Sequence, residues 1–298
     1  MLSALSSAMP TTTDRRRTPA PPHPGAANGV VHVWRSDLAS AADELEDLLC
    51  PEERERARRL LSERDRQLWI RSRGVLRTLL GRYLDRVPRE LCFVLGPHGK
   101  PMLEISRPDD LDLRFNLSHS GTLALYAVTA GREVGIDVET ARRQIDEVAV
   151  AARVLGRAHA RRLARLDLDP QARTREFLRA WVSHEAAVKC RGTGLATPSQ
   201  GHLAAELWTA ELDVGPQAAA AVAVEAGQCE LCCWDWRAQG YAPSPRPSAV
   251  TSSTDLSQPH PQPPRPPPNP SGHLLAPPRS ELQTDSRSHA RPPFPGWP

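Results

Sequence analysis

Proline decides how much of this 298-residue chain can fold. Its 30 prolines are unevenly spread, and Pro259 to Pro270 is almost entirely proline and polar residues. Such a run lacks backbone donors and apolar side chains, so it cannot close a core and favours extended polyproline geometry. Residues 238–298 therefore read as a disordered, Pro-rich tail. Residues 1–28, rich in Ser, Thr, Pro, Ala and Gly, read as a disordered N-terminal extension. The segment from about 30 to 237 is left to fold, long enough for one large domain or two ordinary ones.

Charge narrows the partners little. With 38 Lys+Arg against 35 Asp+Glu the formal charge is +3, which neither requires nucleic acid nor excludes a polyphosphate ligand. The arginines of residues 54–86 could suggest a nucleic-acid surface. However, Glu52, Glu53, Glu55 and Glu63 interrupt their field and no docking motif accompanies them, so no nucleic-acid partner is expected. No run approaches a membrane span, and Arg15-Arg16-Arg17 is followed by no apolar stretch that would make a secretion signal. A soluble, cytoplasmic monomer is the expected setting.

The folded segment opens on the alternating Val31-His32-Val33-Trp34, a strand pattern. Pro51 then starts a long helical region whose Leu60, Leu61, Leu68, Leu76, Leu79, Leu80 and Leu84 form a core-facing stripe, with breaks possible at Leu61-Ser62 and Gly74. Strands follow at 91–95, 113–118, 123–129 and 134–139, the last two flanking Ala130-Gly131-Arg132-Glu133 as a hairpin connection. A mostly helical stretch spans about Ile145 to Lys189, broken near Asp167 to Pro170. Strands return at 207–214, 219–224 and 229–236. Each half reads as strand, helices, then strands, which predicts a two-lobed α+β architecture.

Three groups carry chemistry. In Gly135-Ile136-Asp137-Val138-Glu139, strand alternation turns Ile136 and Val138 to the core while Asp137 and Glu139 project together from the other face. Paired carboxylates repel unless compensated, and Mg²⁺ is held by one or two carboxylates together with substrate phosphates. The competing expectation is a solvated acidic edge. Trp181, Glu185 and Lys189 recur at i, i+4, i+8 along one side of a helix that Gly192-Thr193-Gly194-Leu195 would stop. His184-Glu185 is no zinc-protease helix, because Val188 stands where the second histidine belongs. Asn116-Leu117-Ser118-His119-Ser120-Gly121 offers small hydroxyls and a histidine at a strand end, suited to phosphate oxygens. No Gly-x-Ser-x-Gly elbow is present, which disfavours a serine hydrolase. Cys229, Cys232 and Cys233 sit in an apolar strand pattern and read as strand residues in preference to a zinc or redox site.

In order and rough spacing these pieces resemble the surfactin-synthetase-activating class of 4′-phosphopantetheinyl transferases. The carriers are the Arg-rich helix after Pro51, Gly99-Lys100-Pro101, Phe115-Asn116-Leu117-Ser118-His119-Ser120 and Gly135 to Glu139. The last is Trp181-x-x-His184-Glu185-Ala186-x-x-Lys189-x-x-Gly192-x-Gly194-Leu195. The resemblance implies two similar α/β lobes, 29–130 and 131–237, in a pseudo-two-fold arrangement with the active site in the cleft between them. It implies transfer of phosphopantetheine from coenzyme A to a serine of an apo acyl or peptidyl carrier protein, releasing adenosine 3′,5′-bisphosphate. Asp137, Glu139 and Glu185 would hold Mg²⁺, and Lys189 would meet the coenzyme A phosphates. Arg56, Lys100, Ser118 and His119 would bind the 3′-phosphate region or other phosphate oxygens. Glu185, Lys189 and Asp137 would be the catalytic residues, with Glu185 the candidate base for the carrier serine. The carrier could serve fatty-acid, polyketide or nonribosomal-peptide synthesis.

Two departures stand out. His184 occupies the place of a lysine usual in the family, and Arg153-Val154-Leu155-Gly156-Arg157-Ala158-His159 replaces a Phe-rich, Glu-containing segment. The first predicts weaker, pH-dependent phosphate binding. A non-catalytic carrier-binding homologue is the alternative it raises, and retention of Asp137, Glu139, Glu185 and Lys189 argues against it.

Overall fold

A computed structural model describes residues 21, 24–41, 43–96, 98–104, 111–141, 145–165, 169–193, 207–225 and 227–237. Both expected terminal extensions, apart from a few residues, lie outside that set. So do Gly194 and Leu195. All the described residues fall within one compact unit, Met1–Ser244.

Two helices follow the first strand, β1 (Val30–Asp37). Helix α1 (Pro51–Arg58) starts on a first-turn proline, and Glu53 reaches back to accept the Cys50 N–H at 3.1 Å. Helix α2 (Glu63–Leu84) is capped by Ser62 Oγ, which accepts from the Asp65 N–H. The break therefore falls at Leu60–Ser62. Gly74 breaks nothing; it lies in the middle of α2, where a Cβ would collide with Leu45.

The strands form two principal sheets. β4 (Leu113–Ser120), β5 (Leu123–Ala130), β1 and β9 (Glu230–Asp235) make the first, in the order β4-β5-β1-β9, and β9 runs parallel to β1. β6 (Val134–Thr140), β8 (Ala218–Glu225) and β7 (Leu207–Glu211) make the second, in the order β6-β8-β7. A short pair, β2 (Phe93–Leu95) and β3 (Pro101–Leu103), stands apart.

Helix α2 packs on one face of the first sheet through Leu76, Leu79, Leu80, Trp34, Phe115 and Tyr126. The other face, with Val31, Val33, Leu125 and Ala127, packs against Ile136, Val138, Val222 and Val224 of the second sheet. Helix α5 (Pro170–Arg191) covers the far side of that sheet. The result is an α+β stack of helix, sheet, sheet and helix, with two distinct α/β regions.

Two expectations need correction. β5 and β6 do not form a hairpin, because they belong to different sheets. Gly131, at φ +67°, donates its N–H to Asp112 O and turns the chain from one sheet into the other. β9, expected to complete the C-terminal half, pairs instead with β1, joined further by Arg35 to Asp235 at 2.9 Å. The helical stretch expected between 145 and 189 is three helices, α3 (Glu147–Val154), α4 (Arg157–Ala164) and α5, with Gly156 at φ +93° separating the first two. Cys232 and Cys233 point to opposite faces of β9, one toward each core, so adjacency in sequence does not make them a ligand pair.

Candidate active site

The site lies where β4, β6 and α5 meet. Alternation on β6 is as expected: Ile136 and Val138 enter the core, and Asp137 and Glu139 take the opposite face. That face is no solvated edge, since Asp137 is 3% exposed. Gly135 explains the close approach of α5, because a Cβ there would collide with Ala186 O and Cys190 N. Trp181, Glu185 and Lys189 follow the inward side of α5, with Phe177 stacked on Trp181.

Lys189 Nζ donates to Asp137 Oδ1 at 2.6 Å and to Ser118 Oγ at 3.1 Å, while Ser118 Oγ donates to the same carboxylate oxygen at 2.9 Å. The structure thus brings Asp137, Ser118 and Lys189 together directly. Glu139 is held differently, accepting from Ser120 Oγ at 3.1 Å. Thr140 donates its backbone N–H to the same Ser120 oxygen. Asn116 Oδ1 accepts the Ile136 N–H at 2.9 Å. Asn116, Ser118 and Ser120 therefore form a side-chain ladder joining edge strand β4 to edge strand β6, where no backbone pairing joins the two sheets.

Ser120, expected as a hydroxyl for phosphate oxygens, instead holds Glu139, while Asn116 and Thr140 enter the site beyond the sequence expectation. The local signal is that Asn116, Ser118 and Ser120 recur at period two on β4 and so share one face.

The electrostatics point to an excess of negative charge. Burial and then the charge of Asp137 push Glu185 up to about 7, only partly offset by Lys189. Burial and Asp137 likewise push Glu139 up to about 7, against the Ser120 hydrogen bond and Lys189. Asp137 Oδ2 and Glu185 Oε1 are buried with no hydrogen-bond partner among the described residues. One lysine does not neutralise three carboxyls. A hard, oxygen-seeking cation fits that donor chemistry. As they stand, though, no three His, Cys, Asp or Glu side chains among the described residues are gathered into a metal-holding set.

The expected phosphate ligands are more scattered. His119 alternates away from Ser118 onto the α2 face of β4. Burial and the Lys189 charge lower its pKa, Asp65 opposing them, and its Nδ1 is buried without a partner among the described residues. Arg56 lies on α1, its guanidinium 6.0 Å from the Trp69 ring. Lys100 donates to Glu133, Val134 O and Cys190 O. His184 is half-buried, and burial with the Arg191 charge lowers its pKa.

Of the arginines that suggested a nucleic-acid surface, Arg73 and Arg77 turn inward. Their Nε atoms reach Glu53 at 2.5 and 2.7 Å, and both guanidiniums lie over Phe93. Arg77 Nη1 also donates to Pro88 O and Leu91 O.

Two family models match successive parts of the chain. The model for the N-terminal part of 4′-phosphopantetheinyl transferase matches residues 34–132, and that of the 4′-phosphopantetheinyl transferase superfamily matches residues 133–242. The chain belongs to the 4′-phosphopantetheinyl transferase superfamily, in its Sfp- and AcpT-like branch. The 4′-phosphopantetheinyl transferase HetI of Nostoc sp. is 37% identical over 182 residues, which is 60% of this chain and 75% of the relative. A putative 4′-phosphopantetheinyl transferase of Synechocystis sp. is 32% identical over 149 residues, 50% of this chain and 59% of the relative. The 4′-phosphopantetheinyl transferase AcpT of Salmonella typhi is 38% identical over 118 residues, 39% of this chain and 56% of the relative. Transfer of phosphopantetheine to a carrier protein is the activity this membership supports. No helix among the described residues is long and apolar enough to cross a membrane.

Proposed function

We propose that this protein transfers 4′-phosphopantetheine from coenzyme A to a serine of an apo acyl or peptidyl carrier protein, with adenosine 3′,5′-bisphosphate as the other product. The observation carrying this reading is the buried cluster of Asp137, Glu185, Lys189 and Ser118 at the seam of the two α/β regions. The shared plan of the halves, one long helix on each principal sheet, supports the expected pseudo-two-fold relation.

Asp137 and Glu185, with their partnerless buried oxygens, and Glu139 beside them would hold Mg²⁺. When bound, the ion would supply positive charge against the pyrophosphate oxygens. Lys189, fixed beside Asp137, meets the phosphate charge that grows as the anhydride bond breaks. Arg56, Ser118 and His119 bind the 3′-phosphate region or other phosphate oxygens of the donor. Lys100, expected from the sequence to join them, already has three protein acceptors.

The nucleophile is the carrier's serine hydroxyl, so this chain needs none of its own. Glu185 takes the serine proton, directly or through a water, as the new P–O bond forms. The phosphoanhydride bond then breaks, and its electron pair leaves on adenosine 3′,5′-bisphosphate.

The test is incubation with coenzyme A, Mg²⁺ and a panel of apo-carriers, read by mass spectrometry. A carrier mass gain of one phosphopantetheine group, lost on chelation of the metal, is the expected result. No gain on any carrier would overturn the reading.

A further inference from the structure

Lys100 precedes β3, yet its side chain leaves the β2–β3 pair and is only 13% exposed. Its Nζ donates to Glu133 Oε2 at 2.7 Å, Val134 O at 2.9 Å and Cys190 O at 3.4 Å. An ammonium has three protons, and here each has a protein acceptor.

The acceptors are themselves fixed. Arg114 Nη1 holds the other Glu133 oxygen at 2.8 Å, and Cys190 Sγ donates to Glu133 O at 3.3 Å. Val134 opens β6, three residues before Asp137. Cys190 lies in the last turn of α5 and directly follows Lys189. The carbonyl ends of a helix carry partial negative charge, so a buried cation there is also favoured electrostatically.

We propose that Lys100 is a positioning residue, pinning the start of β6 to the end of α5 and so setting Asp137 against Lys189 and Glu185. Reaching a phosphate would require it to give up at least one of these acceptors. The inference rests on the transfer reading above, because the geometry it maintains is that of the transfer site. A misplacement of about 1 Å at such a site costs on the order of a hundredfold in rate.

The experiment compares the full chain with Lys100→Met, Glu133→Gln and the double variant, using coenzyme A and 3′-dephospho-coenzyme A as donors. Lys100→Met should lower kcat by about ten- to a hundredfold with both donors alike, leaving KM for coenzyme A within about twofold. Glu133→Gln should show the same pattern, and the double variant should add little to the worse single one, as members of one network do. Lys100→Arg should recover part of the loss. A penalty seen with coenzyme A and absent with 3′-dephospho-coenzyme A would overturn the proposal, since it marks direct contact with the 3′-phosphate. So would strictly additive variants.

Hydrogen exchange keeps this separate from the transfer reading. Lys100→Met should speed exchange in residues 134–137 and 186–191, and unchanged exchange there overturns the pin whatever the activity. Wild-type protein that transfers nothing from coenzyme A would instead overturn the transfer reading.

Discussion

Lys189 Nζ sits 2.6 Å from Asp137 Oδ1, so one ion pair ties the helix bearing Glu185 to the strand bearing Glu139. Both partners are almost wholly buried, which makes the pair sensitive to loss of either member. Asp137→Ala should abolish detectable phosphopantetheine transfer, a loss of at least about a hundredfold. Lys189→Met should also reduce it severely. Mass spectrometry of the apo-carrier is the readout, and full transfer by Asp137→Ala would contradict the metal and catalytic assignment.

The Glu53 carboxylate is the anchor of α1 on α2. Desolvation pushes its pKa up, but the charges and hydrogen bonds of Arg73 and Arg77 outweigh this and leave it lowered. Glu53→Gln would leave two buried guanidiniums undercompensated, a destabilisation of about 3–5 kcal/mol. A urea denaturation curve should show the midpoint falling with little change in slope. An unchanged midpoint would mean that water reaches those arginines.

The seam between the sheets depends on side chains. Asn116→Ala leaves the Ile136 N–H without its acceptor in a buried setting, which should cost about 1–3 kcal/mol. Ser120→Ala frees Glu139 and should weaken Mg²⁺ binding measured by titration calorimetry, whereas Ser120→Thr, which keeps the hydroxyl, should largely preserve it. Equal affinity in the alanine and threonine variants would argue against the ladder holding Glu139 in place.

His184 is pushed toward its neutral form by burial and by Arg191, so near pH 7 it lacks the charge of the lysine usual in the family. His184→Lys should therefore lower KM for coenzyme A severalfold. If KM does not move, the side chain is remote from the donor's phosphates.

His32 gives a pH prediction on stability. Burial lowers its pKa to about 4, and Tyr83, whose hydroxyl also accepts from Trp34 Nε1, lies 2.8 Å from His32 Nδ1. The unfolded chain would bind a proton at about 6.5, the folded one only near 4, so between those values the unfolded state holds more protons. The contribution is therefore full above that upper value and is lost as pH falls toward the lower one, by at most about 1.4 kcal/mol per pH unit. Thermal melts across this range should show His32→Gln with a flatter dependence than wild type. Parallel curves would refute the assignment.

Much of the site was legible because it follows from periodicity. Alternation placed Asp137 and Glu139 on one face of β6, and spacing by four placed Trp181, Glu185 and Lys189 on one side of α5. What local sequence does not carry is which strands meet across sheets. The partners of Asn116 and Ser120 lie on β6, and nothing local in β4 names that strand. Gly131 was legible as a turn, but a turn does not say whether the next strand returns to the same sheet. Lys100, in a Gly-Lys-Pro turn, gave every local sign of a solvated cation, and only the tertiary structure places Glu133 and Cys190 around it.

The parallel pairing of β1 with β9 delays completion of the first sheet until late in synthesis. Arg35 meets Asp235, a sequence separation of 200 residues, so the first sheet lacks an edge strand until nearly all of the described chain has been made. During that interval the open edge of β1 presents unpaired backbone groups to any strand that reaches it. Closing so long a loop also slows folding relative to local contacts. The nascent chain therefore carries an unprotected sheet edge from the synthesis of β5 until that of β9, the last strand among the described residues, which closes it.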